Sequence, residues 1–310
     1  MNEKNGKEKD PGIVLAAFGT VEPTGLAAYE SIQKKYERAF PGSPVRLAFT
    51  SNLMRDRLRE KSGIDVHSPL AALGNLHDHG VEDVVVQSLQ VVPGDEFHRL
   101  AALVQSLRSG GERLAFHSLA PGLPLLSGLE DCRLVSAGLG PLLAASKSGS
   151  ECEDSGANRG KTAVVLMGHG TGHPADSLYT LMASVLHANY ENAFLCTLEG
   201  FPGIRELIPD LKRSGFDRVK LMPFLLVAGG HALRDMAGEG PDSWKSILQM
   251  NGFEVETSLH GLAESDGILS LFLKHTRAAL EGRAGRMPES AGASRRSRKM
   301  ETGPGKKLIE

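Results

Sequence analysis

Four short apolar segments in the first half of the chain have counterparts, in the same order, in the second half. The clearest pair is IVLAAFGT (13–20) and AVVLMGHGT (163–171), which are both apolar runs that end in Gly-Thr. Such an ordered set indicates an internal duplication. The other pairs are VRLAFTSN (45–52) with AFLCTLEG (193–200), VEDVVVQSLQVVPGDEFHRL (81–100) with FDRVKLMPFLLVAGGHALRDM (216–236), and RLAFHSLAPGLPL (113–125) with FEVETSLHGLAES (253–265).

Strand and helix patterns alternate along the chain, and this alternation predicts parallel sheets flanked by helices. The predicted fold class is therefore α/β, with two similar domains that face each other across a cleft. Loops at the carboxyl ends of parallel strands converge, so the cleft is where we expect a ligand. In the first half we expect strands at 12–18, 45–49, 81–89 and 113–119, and helices at 26–39, 69–79, 96–108 and 127–145.

Polar and glycine-rich segments mark the boundaries of the two domains. Residues 1–11 predict a disordered amino terminus, 146–161 a linker, and 284–310 a disordered basic tail. The SRRSRK run of that tail is typical of a solvated segment rather than of a docking site for an acidic partner. These boundaries leave an N-terminal α/β domain at 12–145 and a C-terminal α/β domain at 162–283.

Composition excludes several classes of function. The formal net charge is −2, so bulk electrostatics give no reason to expect nucleic-acid binding. Cys132, Cys152 and Cys196 are scattered and show no C-x-x-C spacing, which argues against a disulfide framework or a cysteine zinc site. The start of the sequence lacks an apolar signal region, and no run is long enough for a membrane span. We therefore expect a cytoplasmic protein.

The glycine-rich stretch at 168–173 raises the alternative of a nucleotide site. It reads G-x-G-x-G-x rather than G-x-G-x-x-G, and its histidines would crowd a pyrophosphate, although Glu199 could supply the acidic residue of a dinucleotide site. The stretch GANRGKT (156–162) is one residue short of a P-loop and precedes a strand instead of following one. Dinucleotide binding is thus the weaker interpretation, and no ATP site is expected.

Three possible metal ligands follow three successive strands of the second half: His169, Glu199 and His231. Carboxyl ends of parallel strands meet at one edge of a sheet, so these side chains are expected to lie together. Two imidazoles and one carboxylate suit a divalent first-row metal and leave positions open for a substrate. A histidine satisfied within its loop or a helix-capping glutamate remains the alternative for each residue alone.

The duplication supplies an internal comparison for this set. At the matched strand ends, the first half is expected to carry Phe18, Thr50 or Ser51, and Asp95. Two copies that are built alike differ where one holds the candidate ligands, so the second half is predicted to carry the chemistry. His173, which precedes a proline, is a weaker candidate because it can simply lead into the next helix.

Several motifs together resemble the anaerobic cobalt chelatases of cobalamin biosynthesis, the CbiK type. The motifs are LMGHGT, LEGFPG and MPFLLVAGGHALRDMAG in the second half and QSLQVVPGDEF in the first. The likeness extends from about residue 12 to residue 282. It implies a class II chelatase, related to ferrochelatase, that inserts Co²⁺ into sirohydrochlorin without ATP and holds the tetrapyrrole between two similar α/β domains.

The resemblance also implies roles for individual residues. His169, Glu199 and His231 fall on the metal-binding positions of the family, and Glu96, or its neighbour Asp95, falls on its catalytic acidic pair. The acidic pair has a second explanation, since carboxylates also stabilise a helix amino terminus. The implied catalytic residues are His169, His231 and Glu96, and the expected substrate-binding residues are Gly19, Gly94, Gly229, Gly230 and Arg234.

The expected partners are sirohydrochlorin and Co²⁺, with neither nucleic acid nor a membrane, in a homo-oligomer. No haem is expected, because Gln90 stands where periplasmic members of the family have a haem-binding histidine. Insertion of Fe²⁺ to give sirohaem is the nearest alternative, since imidazole and carboxylate ligands accept either ion. A non-catalytic carrier of tetrapyrrole or metal is the alternative from a different class.

Overall fold

Each half of the chain forms one four-stranded parallel sheet. The computed structural model describes residues 10–109, 116–145 and 161–282. The strands are β1 (Gly12–Ala17), β2 (Val45–Phe49), β3 (Asp83–Ser88), β4 (Ser118–Gly122), β5 (Lys161–Gly168), β6 (Ala193–Thr197), β7 (Phe216–Pro223) and β8 (Glu254–Thr257). The strand orders are β2-β1-β3-β4 and β6-β5-β7-β8. The predicted duplicated α/β fold is confirmed. The predicted amino-terminal segment, linker and basic tail lie, apart from a few residues at their edges, outside the described residues.

The two sheets repeat the same hydrogen bonds at their strand ends. In the first half the Ser51 amide donates to Phe18 O at 3.2 Å. In the second half the Glu199 amide donates to His169 O at 2.8 Å. Phe18 is thus the match of His169, as predicted, and Ser51 rather than Thr50 is the match of Glu199.

A tight turn after the third strand of each sheet identifies one further pair of equivalent residues. Each turn closes with an amide that donates to the carbonyl two residues earlier, and the donors are Gly94 at 2.9 Å and Gly229 at 3.0 Å. Counting two residues onward from these glycines, Glu96 matches His231. The predicted match of Asp95 with His231 is wrong by one residue, because the shared turn rather than the start of the helix sets the register.

The described residues of the first half form five helices, and the second of them was absent from the sequence-based expectation. That helix contains one fully buried residue, Leu58, so its apolar periodicity is weak. Its end signals are clear: the Ser51 hydroxyl accepts from the Met54 amide at 3.3 Å, and Gly63 ends the helix with a φ of 69°. The five are α1 (Pro23–Ala39), α2 (Asn52–Ser62), α3 (Pro69–Asp78), α4 (Asp95–Ser109) and α5 (Leu129–Ala145).

The fourth strand lies further along the chain than predicted. The strand was expected at 113–119, whereas β4 begins at Ser118, which pairs with Asp83 of β3. Phe116, part of the apolar run behind that expectation, instead packs its ring against His77 of α3 at 5.8 Å. Pro121 is accommodated within β4 because this strand lies at the edge of the sheet.

Between residues 161 and 282 the second half carries four longer helices and three short helical turns. None of the helices in the described ranges combines the length and the apolar character needed to cross a membrane. The helices are α6 (Ser177–Asn189), α7 (Ile204–Arg213), α8 (Trp244–Met250) and α9 (Asp266–Leu280), and the turns are the 3₁₀ helices Pro174–Asp176 and Leu262–Glu264 and the π-helix His231–Met236.

The last helix crosses back to the first sheet, although it lies within the range 162–283 predicted for the second domain. On α9, the Thr276 hydroxyl donates to Gln87 Oε1 of β3 at 2.8 Å and lies 3.1 Å from the Tyr36 hydroxyl of α1. In the opposite direction, α5 reaches the second half, where Asn189 Nδ2 donates to Ser136 Oγ at 3.0 Å. These crossings join the halves through one apolar cluster and fix how the two sheets face each other.

Candidate metal site

The candidate ligands lie where the strand order of the second sheet reverses. From β5 the chain continues to β6 on one side and later to β7 on the other, so the loops after β5 and β7 flank a crevice. Ligands of open α/β sheets bind in such crevices. His169 directly follows β5, Glu199 lies two residues beyond β6, and His231 begins the π-helix that follows β7.

The rings of His169 and His231 lie edge to face, with their centroids 4.9 Å apart and their planes at 89°. A metal binds an imidazole nitrogen at about 2.1 Å, which places it about 3.2 Å from the ring centroid. Two such rings on one ion, at an angle of about 100°, have centroids about 5 Å apart. The observed centroid separation fits both a single ion shared by the two rings and ordinary edge-to-face ring packing.

Hydrogen bonds to Nδ1 orient both rings. His231 Nδ1 lies 2.7 Å from Asp235 Oδ2, and His169 Nδ1 lies 2.9 Å from Gly170 O. Both partners are acceptors, so each Nδ1 carries the proton and each Nε2 carries the lone pair. A carboxylate behind a histidine also raises its basicity as a ligand. Asp235 was not predicted as a site residue, although its position four residues after His231 is the sequence signal for such a pair.

Glu199 lies beside His169 but on the other side of its ring. Its Oε2 is 3.7 Å from His169 Nδ1, the nitrogen opposite the one that carries the lone pair. Among the described residues, no three His, Cys, Asp or Glu side chains converge as a group that could hold a metal. The Glu199 side chain is 57% exposed.

A buried tyrosine holds the backbone of the loop that carries His169. The Tyr179 hydroxyl accepts from the amides of Gly170 and His169. Burial raises the pKa of Tyr179, and the two amide bonds lower it by less, so the side chain remains a neutral phenol. Gly170 has a φ of 78°, a conformation that side chains rarely adopt, which explains the glycine at this turn.

His173 is arranged differently from the other two histidines. Its Nδ1 accepts from the Ala175 amide at 3.1 Å, so the lone pair on Nδ1 is used and Nε2 carries the proton. His173 therefore caps the short helix that begins at the next residue, as its position before a proline indicates. The His173 ring also lies 4.9 Å from the ring of His98 on α4, so it takes part in the contact between the halves.

Across the cleft, Glu96 is partly buried in the first turn of α4. It pairs with Arg99 at 2.8 Å, and among the described contacts it is paired with neither candidate histidine. Asp95, the first residue of the same helix, is exposed. Glu96 thus occupies the position of the first half that matches His231 in the second half.

Two of the predicted substrate-binding glycines lie where the halves touch. A Cβ added to Gly94 would lie 3.6 Å from Thr171 Oγ1, and a Cβ added to Gly229 would lie 3.5 Å from Thr20 Oγ1. Each glycine therefore approaches the Gly-Thr turn of the opposite half. The symmetry of these contacts brings the two sets of strand ends face to face.

The remaining predicted substrate-binding residues line the same loops. A Cβ on Gly230 would lie 2.6 Å from Arg234 Nη2, so the exposed guanidinium covers the backbone just before His231. Gly19 has a φ of 111° and would clash with the Phe49 ring if it carried a side chain. Phe18, beside it, is 48% exposed, an unusual state for an aromatic ring at a strand end.

The chain matches the cobalt chelatase (CbiK) family model over residues 11–281. The sirohydrochlorin cobaltochelatase CbiKC of Nitratidesulfovibrio vulgaris is 37% identical over 272 residues, which cover 87% of this chain and 90% of that protein. The sirohydrochlorin cobaltochelatase of Salmonella typhimurium is 34% identical over 269 residues, which cover 86% of this chain and 96% of that protein.

Two solved structures share the fold. SirB from Bacillus subtilis with Fe³⁺ superposes with a TM-score of 0.58 at 14% identity, covering 89% of this chain and 98% of SirB. The sirohydrochlorin chelatase SirB from Bacillus subtilis subspecies spizizenii, in complex with cobalt, gives 0.57 at 13% identity with the same coverage. At this identity the likeness concerns the fold alone, and it agrees with two facing α/β halves.

Proposed function

Because the chain belongs to the cobalt chelatase (CbiK) family, we propose that it inserts Co²⁺ into sirohydrochlorin, without ATP, in anaerobic cobalamin biosynthesis. Both relatives named above are sirohydrochlorin cobaltochelatases, and each alignment covers most of both chains. The observation that carries the proposal is the perpendicular pair His169 and His231, with both Nδ1 atoms engaged by acceptors. A non-catalytic carrier would share this pair, so turnover is the property to test.

In this proposal His169 and His231 hold the incoming Co²⁺ through their Nε2 atoms. Glu199 completes the ligand set once its exposed side chain rotates away from His169 Nδ1. Two neutral imidazoles and one carboxylate leave coordination positions open. The ion is a substrate, so these open positions are where the pyrrole nitrogens replace water as the metal passes into the macrocycle.

Metal insertion also requires a proton acceptor. One Co²⁺ enters the ring while two pyrrole N–H protons leave it, so the overall charge balances. We assign the acceptor role to Glu96, which lies in the first turn of α4 at the position that matches His231. A carboxylate at this position receives protons on the side of the macrocycle opposite the two histidines, so it does not compete with them for the ion.

The predicted substrate-binding residues lie on strand-end loops of both halves. Gly94 and Gly229 lie where the halves touch, Gly19 packs against Phe49 of its own half, and the Arg234 guanidinium lies over Gly230. We assign these glycines to the macrocycle faces and Arg234 to one of its carboxylates.

The deciding experiment is an anaerobic absorbance assay with sirohydrochlorin and Co²⁺, both in large excess over the protein. The proposal predicts many molecules of cobalt-sirohydrochlorin per protein chain. A carrier would instead stop after one equivalent, and that result would reject the enzyme. A parallel arm with Fe²⁺ at the same free concentration tests metal preference, and faster Fe²⁺ insertion would overturn the assignment to cobalt.

A further inference from the structure

One carboxylate in the second half ties together the two loops that carry His169 and Glu199. Asp176 ends the 3₁₀ turn Pro174–Asp176, and its Oδ1 accepts from the Thr171 amide at 3.0 Å. Its Oδ2 accepts from the Phe201 amide at 3.3 Å. Thr171 lies two residues after His169, and Phe201 lies two residues after Glu199. The Asp176 side chain therefore bonds to the loop of each candidate ligand.

The backbone beneath this carboxylate is packed too closely for any side chain. A Cβ on Gly200 would overlap both carboxylate oxygens of Asp176, and a Cβ on Gly170 would overlap the Gly200 amide nitrogen. The loop after β5 and the loop after β6 therefore touch through two glycines, with Asp176 closing the contact. Their relative position is set by this contact together with the bond from the Glu199 amide to His169 O.

The first half builds the same turn without the carboxylate. TVEPTG (20–25) matches TGHPAD (171–176), and in each the threonine Oγ1 accepts from the amide two residues later at 3.1 Å. The residue that matches Asp176 is Gly25. A carboxylate is thus unnecessary for forming the turn, and it is present in the copy whose strand ends carry His169 and Glu199.

We propose that Asp176 is a positioning residue, which fixes the separation of His169 and Glu199 and thereby sets the affinity of the site for the incoming Co²⁺. The inference rests on the proposed function, because it concerns the same metal site. When the carboxylate is removed, the Thr171 and Phe201 amides bond to water instead. The two loops are then joined only at their bases, through the bond from the Glu199 amide to His169 O and the backbone contact of Gly170 with Gly200. Metal binding must then order both loops, which weakens it.

The test compares Asp176→Asn and Asp176→Gly, the latter being the residue of the first half, with Asp217→Asn as a matched control. Asp217 is exposed at the amino end of β7, at the edge of the sheet opposite the site. Co²⁺ alone is titrated into each full-length protein under anaerobic conditions by calorimetry. We expect affinity to fall about 10- to 100-fold in both Asp176 variants, less in Asn because it keeps one carbonyl acceptor, and to be unchanged in the control.

Kinetics separate positioning from a merely structural role. The KM for Co²⁺ should rise by the same factor as the dissociation constant, while saturating Co²⁺ restores kcat. A lowered melting temperature with unchanged Co²⁺ affinity in the folded Asp176→Asn protein would overturn the proposal, as would an unaltered protein that binds no Co²⁺. If the unaltered protein shows no turnover, the chelatase function is rejected. If the Asp176 variants of that protein still bind Co²⁺ more weakly, the positioning role remains intact.

Discussion

The first and second halves of the molecule share one backbone and differ at a few strand-end side chains. The amides of Ser51 and Glu199 donate to equivalent carbonyls, yet the first half places Phe18 where the second places His169. Glu96 likewise stands where His231 does. The repeated backbone thus supplies equivalent places at the edge of each sheet. In the proposed mechanism, a few substitutions at these places assign metal binding to the second half and proton acceptance to the first.

A second difference concerns how the strand-end turns are held. In both halves a buried tyrosine accepts a backbone amide of the turn: Tyr29 from Gly19, and Tyr179 from Gly170 and His169. This anchor belongs to the common scaffold. Of the two matched turns, the second alone carries the Asp176 carboxylate. That turn is therefore tied to the neighbouring loop by a side chain, in addition to the backbone bond that both halves share.

The largest effect should come from removing the ligands that distinguish the halves. His169→Ala and His231→Ala should each lower Co²⁺ insertion by more than about 1000-fold, because the lost metal contact contributes several kcal/mol. Phe18→Ala changes the matched position of the first half and should leave Co²⁺ binding by the protein alone unaltered. Calorimetric Co²⁺ titration and the insertion assay measure both. Full activity in the two histidine variants would break the comparison.

The sequence predicted the duplicated scaffold well, because strand periodicity and paired Gly-Thr endings are local signals. It could not show that α9 crosses to the first sheet, since the contacts of Thr276 with Gln87 and Tyr36 join residues far apart in sequence. The position of β4 was also missed. The ladder with β3, rather than the apolar run that contains Phe116, decides where that strand begins.

For the site, the sequence pointed to the polar residues that follow the strands of the second half. The structure brings one of them, His169, close to both Glu199 and His231. What sequence reasoning missed depends on hydrogen bonds in three dimensions. The tautomers of the histidines and the side of the ring on which Glu199 lies are settled by partner atoms, not by residue type. The hydrogen bond that His231 Nδ1 donates to Asp235 was also missed, because its only sequence signal, a carboxylate four residues onward, is common on helices.

The next effect in size concerns the first half. Glu96→Gln should lower kcat by about 100-fold or more, because a positioned proton acceptor contributes that much, while Co²⁺ binding to the protein alone stays unchanged. Stopped-flow absorbance and calorimetry measure the two quantities. Asp95→Asn, at the neighbouring and exposed residue, is the matched variant. A larger loss of kcat in Asp95→Asn would transfer the acceptor role to Asp95 and break the match between Glu96 and His231.

A smaller effect is expected behind His231. Asp235→Asn should weaken Co²⁺ binding about 10- to 100-fold, because the amide is a poorer acceptor for the Nδ1 proton and orients the ring less well. Glu264→Gln is the control, since it alters another histidine–carboxylate pair at the same spacing, His260 with Glu264. Equal Co²⁺ affinities of the Asp235 and Glu264 variants, by calorimetry, would show that the carboxylate behind His231 does not tune the metal site.

The smallest effect tests the part of the scaffold that the halves share. Tyr29→Phe and Tyr179→Phe each remove an oxygen that accepts backbone amides, so each should cost about 1–3 kcal/mol of unfolding free energy. Denaturant unfolding near pH 7 measures this. Tyr179→Phe should in addition weaken Co²⁺ binding a few-fold, because one of its amides belongs to His169, whereas Tyr29→Phe should not.

The same two tyrosines make the stability of both halves depend on pH. Burial raises the pKa of Tyr29 and of Tyr179 above the value of about 10 that a tyrosine has in the unfolded chain. Below pH 10 both states keep the phenol proton. Above it the unfolded state loses the proton first, so stability falls as pH rises. Between pH 9 and 11, the unfolding free energy of each phenylalanine variant should therefore fall less than that of the unaltered protein. The difference should be similar for the two variants, because the two anchors are equivalent. An effect confined to one half would show that the turns are held differently despite their shared hydrogen bonds.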